Sequence, residues 1–292
     1  MPILLILLML CLIFRATVTM AAASAACRLF VTAVLPGLFP YMVLSLMLTS
    51  RVKRLSPGIV VLLGWGGGSP TGARLLALCP ALTRPRQIRL AVSCATMSPM
   101  FLLGTVGGWL GSTAAGAVML ISVIAGGWLA GSMAGAEIRR SEHCSPAHAL
   151  QPAQEDPLTH QGRSSPHGGA ISFGGAVEQS ARTMLLVCGT MVMLRVFAAL
   201  AGEWLPAGLV LPVTTLLEVT TGAQELAALP LPLPMRTALL AGATGFGGMA
   251  ILMQNRAVLP RDFLPLRLQL LWQCVHGGLS GLIALGLMCL IC

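Results

Sequence analysis

Apolar runs of roughly 20 residues, long enough to cross a bilayer, follow one another along most of this chain with knots of arginine between them. In lipid every backbone N–H and C=O must be satisfied within the protein, so such runs fold as helices or as strands of a closed barrel. Runs of this length and continuity point to helices. Composition agrees: 56% of the 292 residues are hydrophobic and 9% are charged, and mean hydropathy is +0.85. A soluble domain carries about a quarter charged residues, so no separate soluble domain is expected.

A net charge of +9 would suit a nucleic-acid partner if it were gathered on one face. Here 17 of the 18 cations are arginine, and most sit in short clusters between apolar runs: Arg51/Lys53/Arg54, Arg84/Arg86/Arg89, Arg139/Arg140 and Arg256/Arg261/Arg267. That is the positive-inside pattern of a polytopic membrane protein and excludes nucleic acid as a partner. The nine cysteines lie mostly in apolar runs and read as small, lipid-compatible residues. No metal or other cofactor is expected. Met1 to Met20 lacks the basic start of a secretory signal, so an uncleaved first span is expected, although Ala21 to Ala26 resembles a weak cleavage site.

The pattern predicts seven full spans and two interrupted segments. Spans are expected at about 2–20, 29–49, 90–110, 113–135, 171–201, 235–254 and 268–292, with interrupted segments at 57–79 and 207–229. In domain terms the N-terminal span occupies 1–24, a first repeat 25–136, a polar cytoplasmic connector 137–170 and a second repeat 171–292. The connector holds Glu142, Glu155, Asp156 and four of the five histidines, and reads as low in order. Segment 57–79 has a basic cluster on each side, so it enters and leaves on one face as a re-entrant hairpin. Its centre, Gly64-Trp65-Gly66-Gly67-Gly68-Ser69-Pro70, makes a poor helix and a good turn. Segment 207–229 meets no cation before Arg236 and is expected to dip in from the opposite face.

The two segments resemble each other. Gly68-Ser69-Pro70-Thr71-Gly72-Ala73 aligns with Glu218-Val219-Thr220-Thr221-Gly222-Ala223, placing Thr71 and Thr221 150 residues apart. Ala95-Thr96 and Ala243-Thr244 repeat 148 residues apart. Each half reads span, hairpin, span, span. Three crossings are odd, so the second copy is inverted, which is the plan of secondary transporters with a site near the midplane.

Val34-Leu35-Pro36-Gly37-Leu38-Phe39-Pro40, Gly67-Gly68-Ser69-Pro70-Thr71-Gly72-Ala73 and Ser98-Pro99-Met100-Phe101-Leu102-Leu103-Gly104-Thr105-Val106-Gly107 resemble the YlbJ-type sporulation integral membrane proteins. Glu218-Val219-Thr220-Thr221-Gly222 and Gly245-Phe246-Gly247-Gly248-Met249 continue the likeness into the second half. It covers roughly 27–285 without the connector. That family carries the nucleoside-recognition Gate domain and is distantly similar to concentrative nucleoside transporters, which pair opposed hairpins with unwound helices. The resemblance implies small-molecule transport tied to endospore formation, in the inner or forespore membrane, with the spore metabolite dipicolinate the natural candidate for the substrate. It also implies a substrate-side role for Glu218. The nucleoside transporters' first hairpin has a Gln-Thr-Glu type cluster, whereas this chain has Gly-Ser-Pro-Thr-Gly. The acid that would hold a ribose is missing, which favours a carboxylate substrate over a nucleoside.

Candidate site residues follow from the breaks. Gly68, Ser69, Thr71 and Gly72 form the first tip, with Ser69-Pro70 read as an N-cap followed by the first helical residue. Glu218, Thr220, Thr221 and Gly222 form the second, with a threonine as its cap. Half-helix N-termini there would offer N–H groups and positive dipole ends to an anion. Thr96, Ser98 and Pro99, and Thr244, Gly245, Gly247 and Gly248, mark unwound helices, and Gln254 and Asn255 are expected to face a cavity. Arg74 or Arg195 could hold a carboxylate bidentately. The alternative for Arg195 is pairing with Glu178 or Glu203. Glu218 is either an ion- or substrate-contacting acid or a structural partner of Arg74 or Arg195, because an ionisable group at membrane depth costs about 2.5–3.5 kcal/mol. Glu225 is expected no deeper than the interface. His276 reads as a packed histidine, with a proton relay as the alternative. The expected function is secondary transport of a small anionic metabolite, with Na+ or H+ as coupling ion and a homo-oligomer left open. Alternatives are a nucleoside-type carrier and a non-transporting scaffold that docks partners through the connector. No HExxH, GxSxG or GxxxxGK[ST] motif is present, which argues against an enzyme and against ATP-driven transport.

Overall fold

Glycine and proline divide this apolar chain into helices of very unequal length. A computed structural model describes residues 2–52, 56–77, 82–144, 170–260 and 263–291, and every regular element among them is helical. Five helices are long and apolar enough to cross a membrane: Ala16–Arg51, Thr113–Ser141, Phe173–Gly202, Leu233–Val258 and Leu266–Ile291. Their outward faces carry Leu44, Leu185 and Leu282, each 65–74% exposed. Side chains of this kind belong against lipid.

The N-terminal region departs from the expected two spans. Helix α1 is Pro2–Phe14, only 13 residues, which is about 20 Å and short of a hydrocarbon core of about 30 Å. After Arg15, α2 (Ala16–Leu29), a π-helical stretch (Phe30–Val34) and α3 (Leu35–Arg51) run on as one helix. The loop expected near 21–28 does not form, because its alanines favour helix. Ala22 and Ala26 are buried, and Ala22 packs on Val196 and Leu200 of α9 (Phe173–Gly202). Arg15 pairs with Glu203 at the end of α9, N–O 3.3 Å.

Segment 57–79 becomes α4 (Pro57–Gly67) and α5 (Thr71–Ala77). The expected span 90–110 is broken: α6 (Arg84–Ser93) ends before an irregular stretch at 94–98, and a π-helical turn (Phe101–Val106) with α7 (Gly107–Leu110) follows. Helix α8 runs Thr113–Cys144 and takes in the first residues of the expected connector; 145–169 lie outside the described residues. Ser172 accepts from Gly175 N–H to start α9. Segment 207–229 becomes α10 (Ala207–Leu217) and α11 (Val219–Ala227). Helices α12 (Leu233–Phe246) and α13 (Gly248–Val258) meet at Gly247, and α14 (Leu266–Ile291) closes the fold.

Small residues set the helix spacing. Gly127, Gly131 and Gly135 recur every fourth residue on α8 and face α6; a Cβ on Gly131 would lie 2.5 Å from the Arg89 carbonyl. Gly277 on α14 lies against Gly242 of α12 in the same way. Such stripes let backbones close up where lipid offers no hydrophobic drive to associate. The main core gathers Met42, Leu102, Met119, Met191, Leu240 and Met288 from both halves of the chain.

Candidate functional site

Each short break docks against a break in a longer helix. At the first tip Gly68 takes φ 62°, a left-handed value natural to glycine. A Cβ there would lie 2.6 Å from the Ser98 amide, so only glycine lets the tip reach the irregular stretch 94–98. Ser69 N–H donates to the Thr96 carbonyl at 2.7 Å. At the second tip Gly248, φ 69°, stands where a Cβ would meet the carbonyls of Thr215 and Leu216 at 3.2 Å. The break between α12 and α13 therefore receives the break between α10 and α11.

The caps differ from expectation. Ser69 does not cap α5; its hydroxyl donates to Asn255 Oδ1 on α13. Neither threonine caps α11. Glu218 does, accepting from Thr220 N–H at 2.9 Å and Thr221 N–H at 2.7 Å. Its side chain is fully buried and makes no ion pair among the described residues. A carboxylate at a helix N-terminus is held by the dipole as well as by the two N–H groups. The Glu218 side chain thus takes two of the N–H groups that the second tip would otherwise offer to a ligand.

The arginines lie elsewhere. Arg74 donates to Thr183 Oγ1 on α9. Arg195 pairs with Glu225, N–O 3.1 Å, rather than with Glu178 or Glu203; Glu178 pairs with Arg182 instead. Glu225, expected to reach the interface only, therefore ties α11 to α9.

Between the tips is a cavity of about 40 Å³ lined by Ser69, Ser98, Glu218, Thr220 and Gln254, with Met97, Phe101, Val187 and Met191 as apolar walls. A water needs about 10–15 Å³, so this space has room for about three waters and is too small for a metabolite. Of the expected site residues, the cavity brings together Ser69, Ser98, Glu218 and Thr220. Gly68, Gly72 and Gly222 sit behind it as contact points; Cβ atoms at the last two would strike Cys94 and Thr215. Thr71 is buried with its hydroxyl unpartnered, Thr96 and Thr221 contribute backbone groups, and Thr244 returns its hydroxyl to the Leu240 carbonyl at 2.7 Å. Gly247, φ 78°, ends α12.

A second cavity of about 30 Å³ lies behind the first tip, lined by Cys94, Asn255, Gln269, Trp272, Gln273 and His276 among others. Asn255 belongs to this cavity while its partner Ser69 belongs to the first. Gln273 did not stand out in the sequence, although a glutamine one helical turn before His276 in an apolar span was the available signal. No protein-family model, curated protein or solved structure matches this chain.

Proposed function

We propose that the chain is a secondary transporter of a small polar metabolite, built on two inverted repeats whose re-entrant hairpins are α4–α5 and α10–α11. The observation that carries this reading is Glu218: a fully buried carboxyl group without a cation among the described residues, facing a cavity at the meeting point of two helix breaks. Maintaining such a group in a chain of membrane spans is costly, and breaks at corresponding places in two halves are where transporters bind their cargo. The mutual docking of each tip into a broken helix supports the repeat. On this reading the two tips meet around the cavity, and alternating access requires one tip to withdraw.

The anionic, dipicolinate-type substrate and the link to endospore formation rest on the resemblance. An anion would need Arg74 to leave Thr183 and turn toward the cavity, since the one charge now facing it is negative. Uptake into proteoliposomes separates the classes. Dipicolinate, other small acids and nucleosides are offered under inward H+ or Na+ gradients. Gradient-driven uptake of one class, lost in Glu218→Gln, is the expected result; no uptake of any under either gradient overturns the reading.

A further inference from the structure

The second cavity has polar walls with nothing to bond to. Both amide atoms of Gln273 and the Nδ1 of His276 are buried without a partner, and the two residues are 5% and 1% exposed. His276 Nε2 lies 3.0 Å from the Val123 carbonyl. A carbonyl only accepts, so Nε2 carries the proton and, in the neutral ring, Nδ1 presents a lone pair. The occupant that satisfies this wall donates to Nδ1 and to Gln273 Oε1 and accepts from Gln273 Nε2. Left unsatisfied, each of these atoms carries the desolvation penalty of a buried polar group with no partner.

Among the described residues, no charged side chain lines the space. Arg256 reaches only its edge, donating to the Leu264 carbonyl at 3.2 Å and Gln269 Oε1 at 3.4 Å. The site therefore suits a neutral group. About 30 Å³ accommodates two waters, or a single hydroxyl or amide group. Ser69 lines the Glu218 cavity and its hydrogen-bond partner Asn255 lines this one, so that bond joins the walls of the two spaces.

We propose that the cavity at Gln273 and His276 is a wetted subsite for a neutral hydroxyl or amide group, and that the Ser69–Asn255 hydrogen bond gates it from the Glu218 cavity. As a wetted subsite it stands on its own. As the next station for a cargo leaving Glu218 it rests on the transport reading, with the substrate's uncharged polar end received by Gln273 and His276.

Cys94 lines the cavity and serves as a native reporter. In a chain whose other cysteines are replaced by serine or alanine, the small neutral reagent methyl methanethiosulfonate is expected to modify Cys94 in the folded protein. Gln273→Met keeps the length of the side chain and removes its hydrogen bonding, and should slow modification at least tenfold by drying the cavity. Gln273→Leu provides a second variant if the first elutes abnormally on size exclusion. Ser69→Ala should accelerate modification at least tenfold. An unreactive Cys94, or equal rates in the parent and both Gln273 variants, overturns the wetted subsite, and an unchanged rate in Ser69→Ala overturns the gate. Labelling needs no substrate, so a failed uptake screen and a failed labelling experiment are told apart.

Discussion

Glu218 does two jobs that single substitutions can separate. Its carboxylate caps α11 through two N–H groups, and it is the one charged side chain of the first cavity. Aspartate is also a good cap, but it would draw the charge back by one methylene. Glu218→Asp is therefore expected to keep thermal stability near that of the parent while impairing transport. Glu218→Gln can accept through one atom only and sets its NH2 against the other amide, a loss of about 1–2 kcal/mol. Glu218→Ala removes the cap altogether, at a cost of about 1–3 kcal/mol, with one or two N–H groups left unpaired. Melting in detergent should rank parent and Asp above Gln, and Gln above Ala; equal melting for Ala and the parent would dismiss the cap. The placing of this acid within the apolar body was legible in the sequence, because a lone acid amid Leu216, Leu217 and Val219 is conspicuous. Its capping role was not, because capping depends on the φ −134° that the break imposes. For the same reason the arginines were misplaced: spacing along a helix does not say that Arg195 faces Glu225 on another element.

At the scale of elements, local propensity and long-range packing decided different boundaries. The alanine run at 21–26 carried helix straight through an expected loop, and its buried face against α9 is what the hydropathy pattern could not show. The first glycine-rich tip was legible from composition only in part: Gly64 to Gly67, expected as turn, continue α4, and the chain leaves the helix at Gly68. The break at 94–98 was legible only as an unwound segment within a span; the Gly68 approach to Ser98 explains why helix stops there. Contact between α6 and α8 gives the next test. A methyl on Gly131 would fall 2.5 Å from the Arg89 carbonyl, a backbone atom that cannot rotate away, so Gly131→Ala must push the helices apart. About 1–3 kcal/mol of overpacking is expected, read as a lower melting temperature. Gly108→Ala, where nothing lies within 4 Å, is the control: alanine favours helix over glycine by about 1 kcal/mol, so that variant should melt at or above the parent. Matching losses in the two would show that close α6–α8 contact contributes nothing.

At the scale of the whole molecule, the proposed inverted repeat requires the two hairpins to start on opposite sides of the membrane, which no internal contact can supply. The positive-inside rule expects the arginine clusters at 51–54, 84–89 and 256–267 on the cytoplasmic side. On that expectation α4 starts inside and α10 starts outside. Ser56, exposed at the start of α4, and Trp204, 81% exposed just before α10, are suitable reporters. In a background lacking native cysteines, Trp204→Cys should react with a membrane-impermeant maleimide on intact cells. Ser56→Cys should react only after the membrane is opened, and a cysteine at exposed Glu137 near the end of α8 should behave like Ser56→Cys. The first turn of α14 adds a fourth position: exposed Arg267→Cys should also stay protected in intact cells. Labelling of Ser56→Cys and Trp204→Cys from the same side would place both hairpins on one face. The two halves would then be parallel, and a site where opposed tips meet at mid-membrane could not be formed. If the pair separates as expected, Glu218 and Ser69 are reached from opposite faces of the membrane, which is the geometry alternating access needs.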